Sequence, residues 1–153
     1  MGLGMAVSLA RWCQVTGCDV SAERLDEASK HSLPTVAVAD MCSILDLVDC
    51  VLLVVEKPEQ VIAILDAASS SLASRIRPLT VISNTTMSAA SAADIQRRIL
   101  ALGSHIRYLE APISGGPARA FRGELLVSRR PITECSDAVH GVHGAFMEMP
   151  RRA

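Results

Sequence analysis

The amino-acid sequence predicts an α/β protein with a doubly wound, mostly parallel sheet and helices on both faces. Three observations carry this expectation. Apolar residues make up 50% of the 153-residue chain but aromatic residues only 3%, so the core must be built from Ala, Val, Leu and Ile, as in helices packed on a parallel sheet. Short β-rich runs alternate with segments of helical period, the pattern of right-handed βαβ units. Finally, DCVLLVV (49–55) and LTVIS (79–83) are almost uninterrupted apolar runs, expected of strands covered on both sides.

Each element follows from local signals. GLGMAVSLARW (2–12) carries apolar residues at helical spacing, and QVTGCD (14–19) is a short strand ending in an acid. SAERLDEASKH (21–31) opens on a serine able to cap a helix, with acids early and bases late, which suits the helix dipole. TVAV (35–38) is a strand, followed by a helix over about residues 40–47. The buried strand 49–55 leads into a long amphipathic helix, EKPEQVIAILDAASSSLASRI (56–76). LTVIS is the next strand, SAASAADIQRRILALG (88–103) a helix closed by Gly103, and IRYLEA (106–111) a further strand. EAPISGGPARAFRGEL (110–125) brings two adjacent glycines beside a serine, a turn in which backbone can approach a small polar ligand. Residues 128–153 show no clear pattern.

Composition narrows the function classes. The formal net charge is −1 with acids and bases interspersed, so neither nucleic acid nor an anionic membrane is an expected partner. The five cysteines (Cys13, Cys18, Cys42, Cys50, Cys135) form no CxxC pair, which fits a reducing compartment, where buried cysteine acts as a small apolar residue. No apolar run approaches the ~20 residues of a membrane span, and no basic segment precedes an apolar one at the N-terminus. The expectation is a cytoplasmic protein. His140 and His143 lie three apart without a third ligand, so no metal site is assigned.

MGLGMAVSLAR corresponds to the second half of a strand–glycine turn–helix unit whose amides meet a pyrophosphate, with the strand lacking. Taken in order, MGLGMA (1–6), VTGCD (15–19), DCVLLVVEKPEQV (49–61), ISNTTMS (82–88) and EAPISGGPARAFRGEL (110–125) resemble the cofactor domain of the β-hydroxyacid dehydrogenases. That family includes 3-hydroxyisobutyrate dehydrogenase, tartronate semialdehyde reductase and threonate dehydrogenase, and is related to 6-phosphogluconate dehydrogenase. Its domain reads GLGxMGxxMA, a second strand ending in an acid, DVVxxMVP, a serine–threonine motif and DAPVSGGxxGAxxGxL. The resemblance implies a Rossmann-like NAD(P)-binding domain over residues 1–127, lacking its first strand. Residues 128–153 form a divergent tail, and the helical domain that follows in the family is absent.

The implied roles are specific. Gly2 matches the glycine that lets the first helix pack close to its strand and the cofactor. Asp19 matches the acid that accepts hydrogen bonds from the adenosine ribose, which favours NAD, while the nearby Arg24 keeps NADP open. The other reading of Asp19 is a solvated turn acid. Val54 and Val55 match the strand end lining the nicotinamide. Glu56 stands where the family usually has proline. Thr86 matches the threonine beside nicotinamide and substrate, although its hydroxyl could instead cap a helix. Ser114, Gly115 and Gly116 match the turn that holds the carboxylate of a small hydroxy acid. In the family a lysine of the helical domain moves the proton. Lys30 and Lys57, the only lysines here, match no such position, so no catalytic residue is assigned.

A phosphoreceiver domain also fits a buried strand followed by KP, but it needs an aspartate near the strand end, where Val54 stands. The remaining alternative is a catalytically inactive truncated or degenerate fragment, at most a cofactor-binding or interaction module. In the 3-2-1-4-5-6 strand order the first strand is central, and its absence leaves strands two and four without a shared neighbour. Each orphaned buried amide costs ~1–3 kcal/mol against a total stability of ~5–15 kcal/mol, so the chain alone is expected to be marginal. The helical domain also usually forms the dimer, so an oligomer is left open.

Overall fold

The computed structural model describes residues 1–128. Cys135, the pair His140 and His143, and nearly all of the predicted tail lie outside the described residues. The elements run α1 (Gly2–Leu9), β1 (Gly17–Asp19), α2 (Ala22–Lys30), β2 (Thr35–Ala37), β3 (Cys50–Leu53), α3 (Pro58–Ser74), β4 (Leu79–Ser83), α4 (Ala89–Leu102), β5 (Ile106–Glu110), β6 (Ile113–Ser114), α5 (Gly116–Arg122) and β7 (Leu126–Val127).

The parallel strands form two pieces. One has the order β3-β4-β5, with Val51 opposite Val81 and Val81 opposite Tyr108. The other pairs β1 with β2, Cys18 lying opposite Val36. No ladder joins β1 to β3, so among the described residues each presents an edge without a strand partner. The antiparallel pair β6-β7 is separate. The α/β class and the parallel order agree with the sequence.

Helices α3 and α4 cover one face of the larger sheet. Helix α3 buries Val61, Leu65, Ala68 and Leu72, a stripe repeating every three or four residues as a helical face demands. From α4 come Ile95 and Ile99, one turn apart and almost wholly buried. They meet Leu53, Leu79, Val81 and Ile106 of the strands in one apolar cluster. Caps fix the helix starts. The Ser21 hydroxyl accepts from the Arg24 amide, and the Ser88 hydroxyl accepts from the Ser91 amide at 3.1 Å.

One element departs from expectation. The helix predicted over residues 40–47 is two 3-10 turns, Val38–Ser43 and Leu45–Leu47, which still bury Met41 and Leu45. A side chain 30 residues away ties down the end of this segment. The buried guanidinium of Arg75 donates to the Leu45 carbonyl and, at 2.5 Å, to that of Val48. These carbonyls lie in the last turn and just past it, where a helix leaves its acceptors unpaired, and the guanidinium satisfies them.

Two short elements have no counterpart in the sequence reading. Helix α5 opens at Gly115 (φ 139°) and Gly116 (φ 76°) and closes at Gly123 in the left-handed region. Its last carbonyls accept from the Gly123 and Glu124 amides, the usual glycine-closed helix end. The β6-β7 pair then returns the chain so that Ser114 faces Leu126. Among the described residues no helix is long and apolar enough to cross a membrane.

Candidate functional site

In parallel α/β sheets ligands bind beyond the carboxyl ends of the strands. Three such ends lie side by side here, those of β3, β4 and β5, and the sequence places candidate residues on each. Val54 and Val55 follow β3, Thr86 follows β4 by three residues, and Ser114 to Gly116 follow β5.

The β3 end is held from two sides. Helix α1 begins against it: a Cβ placed on Gly2 would lie 3.8 Å from Val54 Cβ. Thr85 Oγ1 donates to the Val55 carbonyl at 2.9 Å. The departure at Glu56 also acquires a reason. Gln60 Oε1, in the first turn of α3, accepts from the backbone amides of Glu56 at 3.0 Å and Lys57 at 2.8 Å. A proline at position 56 has no amide to give, so this chain closes the loop with a hydrogen bond instead of a ring.

The β4 exit is polar and buried. Ser83, Asn84 and Thr85 are all less than 10% exposed, whereas Thr86 is exposed. Thr86 does not cap α4, because Ser88 performs that role. Below the exit, Ser83 pairs in register with Glu110 and Val81 with Tyr108, which puts Ser83, Tyr108 and Glu110 on one face of the sheet. Burial pushes the Tyr108 hydroxyl above its ordinary range, the nearby Ser83 hydroxyl opposes the rise, and the Glu110 carboxylate adds to it.

The β5 exit leads into the glycine turn. The Ala111 amide donates to the Ser83 carbonyl at 2.8 Å, and Asn84 Nδ2 donates to the Ala111 carbonyl at 2.6 Å. The Ser128 amide donates to the Pro112 carbonyl at 2.9 Å, closing the turn from its far side. Ser114 and Gly115 are exposed. A Cβ placed on Gly116 would meet no atom within 4 Å, so the turn borders open space. Its φ of 76° nonetheless makes any side chain strained.

Asp19 lies at the end of β1, in the other parallel piece. Its Oδ1 accepts from the Ser21 amide at 2.9 Å, and Oδ2 sits 3.6 Å from Arg24 Nη1. It makes no hydrogen bond to the β3-β4-β5 residues among those described. The two pieces meet through the 3-10 turn Val38–Ser43, which touches β1, β2 and α3, and a ring contact pairs His31, after α2, with Phe121 of α5 at 5.7 Å between centroids. The sequence reading missed Gly4, Asn84 and Thr85. Gly4 is the one tightly enclosed glycine of α1, since a Cβ there would lie 2.9 Å from both Ala120 Cβ and the Phe121 amide nitrogen. GLGM could have flagged it; nothing in SNTTM singles out which threonine is buried.

The comparisons with known proteins agree with this architecture. Residues 1–129 match the family described as the NAD binding domain of 6-phosphogluconate dehydrogenase. The chain is 34% identical over 127 residues to an L-threonate dehydrogenase of Cupriavidus necator, covering 82% of this chain and 41% of that protein. Among solved structures, a 3-hydroxyisobutyrate dehydrogenase from Salmonella typhimurium superposes with a TM-score of 0.71 at 25% identity, over 82% of this chain and 43% of the other. A variant imine reductase from Myxococcus stipitatus, in complex with NAD+, shares the fold at a TM-score of 0.69 and 19% identity, over 94% of this chain and 46% of the other. The chain thus spans about two fifths of the length of the relatives it matches. With the match over residues 1–129 and the threonate dehydrogenase likeness beside it, the chain belongs to the NAD-binding domain family of the β-hydroxyacid and 6-phosphogluconate dehydrogenases.

Proposed function

We propose that the three strand ends form the cofactor side of a hydride-transfer cleft acting on a small 3-hydroxy acid. The observation that carries this reading is the convergence of Val54 and Val55, Thr86 and the Ser114–Gly116 turn on adjacent carboxyl ends of parallel strands. In this reading Gly2, Val54, Val55 and Thr86 border the nicotinamide, and Asp19 accepts the ribose hydroxyls. The Ser114 hydroxyl and the amides of Gly115 and Gly116 hold the substrate carboxylate.

The residues present fit such a ligand. The open space beside Gly116 lets an anion approach backbone without a side chain between them. Asp19 has acceptor capacity left, because an ionised carboxylate offers about four lone-pair sites and only one protein amide is bonded to it among the described residues. NAD, when bound, supplies the hydride acceptor. The chain's own residues hold the hydroxy acid by its carboxylate, so that positioning does much of the work. No residue among them is assigned to take the hydroxyl proton, which the family resemblance gives to a lysine of a further domain. Cys13, Cys18, Cys42 and Cys50 are exposed free thiols and not the buried apolar residues expected; a reducing, cytoplasmic setting keeps such thiols free.

Titration with NADH for binding, and NAD+ with a panel of short hydroxy acids for turnover, test the reading. Micromolar NADH binding with turnover supports the dehydrogenase, binding without turnover supports a cofactor-binding module, and no binding sinks both. Asp19 should also set cofactor choice. Its charge repels a 2′-phosphate, and Arg24, largely exposed at 77%, is too solvated to offset that fully. Asp19→Ser is expected to weaken NADH binding about 10-fold or more, the loss of charge-assisted hydrogen bonds, while NADPH binding stays level or improves. Equal losses for both cofactors would remove Asp19 from the ribose site.

A further inference from the structure

Strand β4 is the middle of the larger sheet, and the two residues that follow it reach in opposite directions. The Thr85 hydroxyl donates to the Val55 carbonyl beyond β3 at 2.9 Å. The Asn84 carboxamide donates to the Ala111 carbonyl beyond β5 at 2.6 Å, and its own amide donates to the Leu53 carbonyl at 2.9 Å. Both residues are buried, at 7% and 2% exposure. Neither side-chain bond belongs to a helix or strand ladder. Each replaces a ladder contact where the strands have already ended.

The carboxamide is not the natural choice for packing alone. Among the described residues Asn84 Oδ1 is buried without a hydrogen-bond donor, a state that an apolar side chain of similar size would avoid. What the pair achieves is spacing. Thr85 fixes the backbone at Val55, and Asn84 fixes the residue from which Pro112, Ile113 and Ser114 depart. Thr86, exposed between them, inherits its place from both.

We propose that Asn84 and Thr85 are positioning residues, a two-sided clasp that holds the nicotinamide-side strand end and the carboxylate-binding turn at one separation. This rests on the dinucleotide reading above for its purpose, but not for its geometry. A cleft in which the reacting carbon must meet a nicotinamide loses rate or affinity with small displacements. The clasp supplies that constraint without touching either ligand.

Hydrogen exchange on the 153-residue chain, combined with NADH titration and thermal unfolding, tests the two arms separately. Thr85→Val keeps shape and removes the hydroxyl; Thr85→Ser keeps the hydroxyl and removes the methyl. Thr85→Val is expected to speed exchange in residues 54–57 about fivefold to tenfold, the loss of one buried hydrogen bond, and Thr85→Ser to restore it. Asn84→Leu is expected to do the same in residues 112–116. In both cases NADH affinity should fall by a similar factor while exchange in α3 and α4 stays at the wild-type rate. Unchanged exchange in both segments overturns the clasp, as does a uniform rise across α3 and α4, which marks general loosening. Failure of the wild-type chain to bind NADH overturns the dinucleotide reading alone, since the exchange data still decide the clasp.

Discussion

Arg75→Met is expected to lower the unfolding free energy by about 3 kcal/mol, or the melting temperature by about 10 °C. The Arg75 side chain is wholly buried at the end of α3. Besides the Leu45 and Val48 carbonyls, it donates to those of Arg77 at 2.7 Å and Pro78 at 3.4 Å. Its one acidic neighbour among the described residues, Asp46 at 3.8 Å, is 82% exposed, so the ion pair adds little. Two effects therefore compete. Desolvating a guanidinium costs several kcal/mol, and a variant without it recovers that. Against this stand four charge-assisted bonds of ~1.5–3 kcal/mol each, of which the buried one, to the Leu45 carbonyl, leaves an acceptor that costs a further ~1–3 kcal/mol when orphaned. The carbonyl side wins because methionine fills the volume but donates nothing. Arg75→Lys should lose roughly half as much, since one ammonium cannot reach four diverging acceptors. Urea unfolding of the three chains checks the order, and a loss below ~1 kcal/mol for Arg75→Met would sink the argument.

The second large effect is expected at Gly4. Replacing glycine by alanine inside a helix ordinarily gains ~1 kcal/mol. Here the new Cβ would stand 2.9 Å from Ala120 Cβ and from the Phe121 amide nitrogen, with the Phe121 ring at 3.1 Å. Two of those atoms belong to rigid parts of α5, so α1 and α5 must separate. Overpacking of this kind costs ~1–3 kcal/mol, which cancels or exceeds the helix gain. Gly4→Val adds two methyl groups and a poorer helix propensity, and should destabilise by about 3 kcal/mol. Because α1 starts beside Val54 and α5 begins at the glycine turn, the same variant should weaken NADH binding even where the chain stays folded. A Gly4→Ala chain more stable than wild type would show that α5 moves aside freely.

Several parts of this molecule were legible without coordinates. LTVIS is β4 residue for residue, and the apolar run DCVLLVV contains β3. Ser21 and Ser88 cap the helices they precede, Ser21 as the reading proposed. The glycine turn, Thr86 and the valines at the β3 end fall on neighbouring strand ends because parallel βαβ winding puts every exit on one edge. The match over residues 1–129 bears out the family to which those motifs pointed.

Other parts were not legible, for a common reason. Helix α5 has seven residues, too few for a period to show, and its limits depend on positive φ at three glycines. The segment 40–47 has the composition of a helix, yet it folds as two 3-10 turns whose end Arg75 ties down. Close approach within GLG was expected at Gly2, whose added Cβ would make only ordinary contact with Val54; the tight site is Gly4, because α5 packs there.

By itself, the sequence determined what is written in local period and residue type: the class, the strand order implied by βαβ winding, the helix caps and the family. The tertiary structure alone decided which polar atoms are buried and whom they serve. Thr85 and Val55, Asn84 and Ala111, and Arg75 and Leu45 are separated by 30, 27 and 30 residues. Hydrogen bonds of that range leave no periodic trace in a sequence, because their partners are chosen by packing after the strands and helices have formed.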